Sequence, residues 1–165
     1  MPNTPDADSP LDAEITAPKD PSAPSNEAVF RVIRMYLKDC SVEQPNAPEI
    51  FSDARGPDIQ ISVNSASVKV GDGLYEIAIR AGINARIEKK VLFFINLEQA
   101  ALFEIRNVPE DQLAPNLAIN CHQIVYNALK ENMADLIRRS GFEPVELKEV
   151  DFLANYENSL KRQAE

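Results

Sequence analysis

The chain has 165 residues and a formal charge of −9, with 26 acidic against 17 basic side chains and a single histidine. It lacks the dense Lys/Arg that nonspecific nucleic-acid binding requires, and its two cysteines show neither CxxC nor metal-like spacing, so no disulfide scaffold, metal or cofactor is expected. No apolar run approaches the ~18 residues that cross a bilayer, and the N-terminus lacks the basic-then-apolar order of a signal peptide, so a cytoplasmic protein without membrane insertion is expected.

Residues 1–28 hold six of the twelve prolines, six acids and one base, Lys19, with no apolar period. Such a segment cannot bury enough surface to offset chain entropy, so a disordered acidic tail is expected there. Residues 29–165 are long enough for one core.

Phe30 to Val42 reads as a long strand. Even positions carry Phe30, Val32, Tyr36, Cys40 and Val42; odd ones carry Ile33, Met35 and Leu37, then Asp39, Ser41 and Glu43. Strict alternation makes both faces largely apolar, which predicts contact with another subunit or burial within the chain's own core. Pro45-Asn-Ala-Pro48 ends this strand and opens a long crossover loop over 44–58. Ile59, Ile61 and Val63 begin a second alternating strand. Gly71-Asp72-Gly73 turns the chain back. Tyr75, Ile77, Ile79, Ala81, Ile83, Ala85 and Ile87 fill every odd position of the third strand. After Glu88-Lys89-Lys90, the fourth carries Val91, Phe93, Ile95 and Leu97 on a buried face, with Leu92, Phe94, Asn96 and Glu98 on the other. The span 59–99 is therefore expected as an antiparallel meander.

From Pro109 the apolar period becomes helical: Leu117, Ile124, Ala128, Met133, Leu136 and Ile137 form one broad stripe, interrupted near 121–123. Gly141 should stop the helix. Residues 144–150 read as extended, and Asp151 can cap a last helix with Phe152, Tyr156 and Leu160 at i, i+4, i+8. Strands followed by helices make an α+β chain.

No catalytic constellation emerges. His122 has no second imidazole, and its neighbour Cys121 points away from it on a helix. There is no phosphate loop and no serine elbow. Glu76, Glu98 and Glu104 leave open a small enzyme with a buried, proton-holding carboxylate. The apolar surface and net acidity favour a binding protein.

Tyr36-Leu-Lys-Asp-Cys-Ser-Val-Glu43 followed by Pro45-Asn-Ala-Pro48 resembles the signature of the SecB family of export chaperones, with Tyr75-Glu76, Leu102-Phe103, Gly141-Phe142, Asp151-Phe152 and Tyr156 in register. The resemblance implies a four-stranded antiparallel sheet with C-terminal helices, assembled as a homotetramer, a dimer of dimers. It implies ATP-independent holding of unfolded preproteins and delivery to SecA at the translocon. Asp39, Glu43, Phe94, Asn96 and Glu98 match the face that docks SecA, whose C-terminal tail is basic; Asn96 stands where the family usually carries a glutamate. Ile59, Ile61 and Val63 match the family's client groove, and the proline elbow opens a loop that walls it; Phe152, Tyr156 and Leu160, the apolar stripe of the last helix, are expected to bind client as well. A related chaperone serving another client, such as an antitoxin, has the same pattern.

Overall fold

The computed structural model describes residues 26–164. All but the last three residues of the proline-rich tail therefore lie outside the described residues. The strands are β1 (Val29–Glu43), β2 (Asp58–Gly71), β3 (Leu74–Ile87) and β4 (Lys90–Arg106). They form one antiparallel sheet in the order β1-β4-β3-β2. Helix α1 (Glu110–Pro115) runs through a π-helical turn (Asn116–Cys121) into α2 (His122–Arg139), and α3 (Phe152–Gln163) closes the chain. The π turn begins just after Pro115, which has no N–H to give the helix, and ends where the apolar stripe breaks. Among the described residues no helix is long and apolar enough to cross a membrane.

The core lies between one face of the sheet and α2. Strictly alternating β3 sends Ile77, Ile79, Ala81, Ile83 and Ala85 into it, as expected. The buried stripe starts at Cys121 of the π turn and continues on α2 as Val125, Tyr126, Leu129, Met133 and Ile137; Ile124 and Leu136 pack only along its edge. The stripe expected from the sequence is thus rotated, keeping Met133 and Ile137 but missing Tyr126 and Leu129. Gly141 ends α2 at φ 87°. Its N–H reaches Arg138 O at 2.9 Å and the Phe142 N–H reaches Ile137 O at 3.3 Å, a left-handed C-cap that favours glycine.

Besides β2, where Val70 is extra beside the hairpin, two strands depart from simple alternation. The β1–β4 register slips between Val32 and Arg34 and again between Leu37 and Asp39. Each slip is a bulge that leaves one residue extra, Ile33 then Lys38, and reverses the parity of everything after it. Directly paired residues share a face, so Phe30, Val32, Met35, Leu37, Cys40 and Val42 all lie on the helix-bearing face. Arg31, Arg34, Tyr36, Asp39, Ser41 and Glu43 lie on the opposite, open face. The first strand is therefore not apolar on both faces; its two bulges sort it into one apolar and one polar side. A third slip, between Ala85 and Arg86, pairs Arg86 with Val91 and leaves Leu92 extra. Val91 accordingly moves to the open face and Leu92 is buried, 4% exposed, the reverse of the sequence expectation.

Helix α2 covers β3 and β4 but stops short of β1. The apolar side of that outer strand is left open, with Phe30, Val32, Met35, Leu37 and Val42 all exposed, Leu37 to 50%.

Candidate binding surfaces on the two faces of the sheet

The open face gathers five sequence-chosen residues into one patch. Between Asp39 and Glu43 there is no further slip, so Asp39 pairs with Glu98, Ser41 with Asn96 and Glu43 with Phe94. On the other side of β4, Glu98 pairs with Arg80, Asn96 with Gly82 and Phe94 with Asn84. A Cβ at position 82 would meet Ser62 Oγ at 2.9 Å and Asn96 Oδ1 at 3.0 Å. Glycine there lets the Asn96 amide lie flat across the sheet.

This face is not uniformly acidic. Arg80 forms an ion pair with Glu98, its Nε 3.0 Å from Oε2, and its Nη2 stands 3.7 Å from Asp39 Oδ2. Farther along, Glu76 accepts from Tyr36 Oη at 2.6 Å and from Lys38 Nζ. Glu104 takes Arg31 Nε at 2.6 Å and Arg106 Nε at 2.7 Å. These donors hold both carboxyls below the ordinary glutamate value, Lys38 then Tyr36 acting on Glu76, and Arg106 then Arg31 on Glu104. Burial, and then the Glu76 carboxylate, push the Tyr36 phenol up to about 12. A carboxyl held below its ordinary value is ionised at neutral pH and has no proton to donate there.

Beyond Glu43 and Phe94 the face dips into a recess of about 290 Å³, walled by Pro45, Asn84, Arg86 and Val91 as well. The proline elbow thus borders the open face. The rest of the crossover loop is tied to the far end of α2 and the start of β4. Gln44 Nε2 donates to Ser140 O at 2.7 Å, Asn46 Nδ2 to Val91 O at 3.0 Å, and Ile50 enters the core. Phe51 packs at a tilt against Phe142, 5.4 Å between centroids, and Phe142 against Phe93 at 5.2 Å.

On the helix-bearing side, a groove of about 420 Å³ runs along the other outer strand. Ile59, Ile61 and Val63 of β2 form one wall, and Leu147 and Val150, from the extended segment before α3, form the other. Tyr126 at its floor donates from Oη to Lys148 O at 2.6 Å and so fixes the outer wall in place. Lys130 adds an ion pair to Glu149. Sequence reasoning passed over Tyr126 and the 146–150 wall. The available signal was the tyrosine's place in the helix, three residues before Leu129 and seven before Met133, once the stripe is set in correct register.

The last helix divides its three sequence-chosen residues. Asp151 caps α3 by accepting the Ala154 N–H at 2.8 Å, as expected. Phe152 is half-buried, its ring 5.6 Å from His122 and 5.8 Å from Tyr126, so it closes the core. Tyr156 is half-buried and Leu160 exposed. None of the three lines the groove. His122 is itself buried, its Nδ1 2.7 Å from Leu117 O inside the π turn.

Residues 23–163 match the family model described as preprotein translocase subunit SecB. A protein-export protein SecB of Verminephrobacter eiseniae is 42% identical over 142 residues, 86% of this chain and 93% of that one. Protein-export protein SecB 1 of Polaromonas naphthalenivorans is 44% identical over 79% of this chain and 84% of its own. Among solved structures, a SecB-like chaperone of Mycobacterium tuberculosis in complex with an antitoxin peptide shares the fold, with a TM-score of 0.59 at 17% identity over 74% of this chain and 91% of its own. By its signature, its matched span and these relatives, the chain belongs to the SecB family of protein-export chaperones.

Proposed function

We propose that this chain is a cytoplasmic, ATP-independent holdase that keeps unfolded preproteins extended and delivers them to SecA at the translocon. The observation that carries the reading is the separation of two surfaces on opposite sides of one sheet. An apolar groove along β2 suits an extended chain, whose burial contributes ~25 cal/mol per Å² whatever its sequence. The open face with Asp39, Glu43, Phe94, Asn96 and Glu98 suits a charged, partly apolar docking partner. With the two on different faces, a client in the groove leaves the docking surface free.

Assembly as a dimer of dimers fits the same architecture. The uncovered apolar side of β1 needs a cover, and a second copy of this chain offers a matching one. The relatives named for protein export favour preproteins as clients over an antitoxin, which the fold neighbour binds at far lower identity.

The test is a pair of titrations on the full chain, one with an unfolded preprotein and one with SecA, each with and without ATP. Binding of both, unaltered by ATP, is expected. A protein that holds the preprotein but ignores SecA would overturn the delivery half of the reading. Failure to hold the preprotein would overturn it altogether.

A further inference from the structure

We propose that Arg80 is a built-in competitor for the docking acids, occupying them in the free protein and setting how tightly a basic partner binds. The inference rests on the reading of the open face as the SecA-docking surface. Arg80, Glu98 and Asp39 stand directly opposite one another on β3, β4 and β1. The arginine pairs with Glu98 through Nε at 3.0 Å and reaches Asp39 at 3.7 Å. Two of the three acids placed on this patch therefore already share one cation.

The pairing is open to exchange. The Arg80 side chain is 56% exposed and Glu98 only 16%. The acid is anchored in the sheet while its cation reaches in from solvent. A lysine or arginine from a partner can replace the guanidinium without moving any backbone. An exposed pair of this kind contributes little to folding, so its loss should leave the sheet intact. It does oppose binding: a basic partner must displace Arg80 and remains beside its charge. With Asn96 between Ser41 and Gly82, the patch has no further acid in its middle row to offset that repulsion. Arg80 and the absent charge at 96 act in the same direction, toward a weak, quickly released complex.

The test measures SecA affinity at low and at physiological salt for the full-length protein and three variants. Arg80→Gln is expected to tighten binding about two- to fivefold at low salt, the equivalent of an exposed ion pair released, with steeper salt dependence because one more acid is uncompensated. Arg80→Lys, which keeps the charge but loses the forked donor, is expected to give a smaller gain. Asp39→Asn with Glu98→Gln is expected to weaken binding. If Arg80→Gln leaves affinity unchanged or lowers it while the acid variant weakens binding, the competitor proposal is overturned and the docking reading stands. If neither the acids nor Arg80 affects affinity, the docking reading itself falls and the proposal with it.

Discussion

Asn132 of α2 donates from Nδ2 to Gln99 Oε1 over 2.7 Å, joining the helix to a polar side chain buried in the sheet's inner face at 1% exposure. The amide nitrogen of Gln99 then donates to Tyr36 O at 3.0 Å, close to the second bulge of β1. One buried amide therefore holds together α2, β4 and the point where the outer strand reverses parity. Buried polar groups are tolerated when satisfied and costly when not.

Gln99→Leu should accordingly destabilise the protein by about 1–3 kcal/mol, since it strands the Asn132 amide and the Tyr36 carbonyl together. Adding Asn132→Leu should recover part of that loss. Urea unfolding of the single and double variants measures both; equal stability of Gln99→Leu and the parent would mean the pair is energetically idle.

Glu76 provides a pH dependence with a definite sign. Its folded-state pKa lies below the ordinary value of 4.5 because Lys38 and Tyr36 stabilise the carboxylate. Its contribution is therefore complete above that value and is lost as the pH falls through the lower folded one. The melting temperature of the parent should drop more steeply than that of Glu76→Gln between about pH 5 and pH 3. Parallel curves for the two proteins would argue that the Tyr36–Glu76–Lys38 cluster adds no stability.

Leu37→Asp tests the uncovered side of β1. The side chain is half exposed in the single chain, so the fold should survive the change. A charge placed in an apolar contact between subunits would have to be desolvated, at about 1–3 kcal/mol or more per interface. Light scattering after size exclusion should show a smaller species than the parent. An unchanged mass would put the subunit contact elsewhere.

Ile61→Asp tests the groove. Ile61 is 45% exposed on an outer strand and lines the cavity with Ile59 and Val63. Loss of an apolar contact of this size, about 1.5 kcal/mol, should weaken preprotein holding about tenfold. SecA affinity should change little, because the open face lies on the other side of the sheet. If both affinities fell together with the circular-dichroism signal intact, the two surfaces would not be independent.

Much of this protein is legible along the chain because it depends on residues a few positions apart. Alternation in β3, the stop at Gly141 and the Asp151 cap are local, and each lies where the pattern puts it. Asp39 and Glu43 also share a face as expected, since no bulge falls between them. What the chain alone could not decide was where pairing slips. A bulge exists only relative to a partner strand: Ile33, Lys38 and Leu92 are extra because β4 and β3 present one residue fewer opposite them. Those slips turn a strand that reads as apolar on both sides into one with a charged face and a bare apolar one, and they bury Leu92 in place of Val91. The Arg80 ion pairs were equally hidden, for Arg80 meets Asp39 and Glu98 only across three strands whose order, β1-β4-β3-β2, is set by the crossover loop carrying β2 to the far edge. Local periodicity determined which elements form; long-range pairing determined which face each side chain occupies.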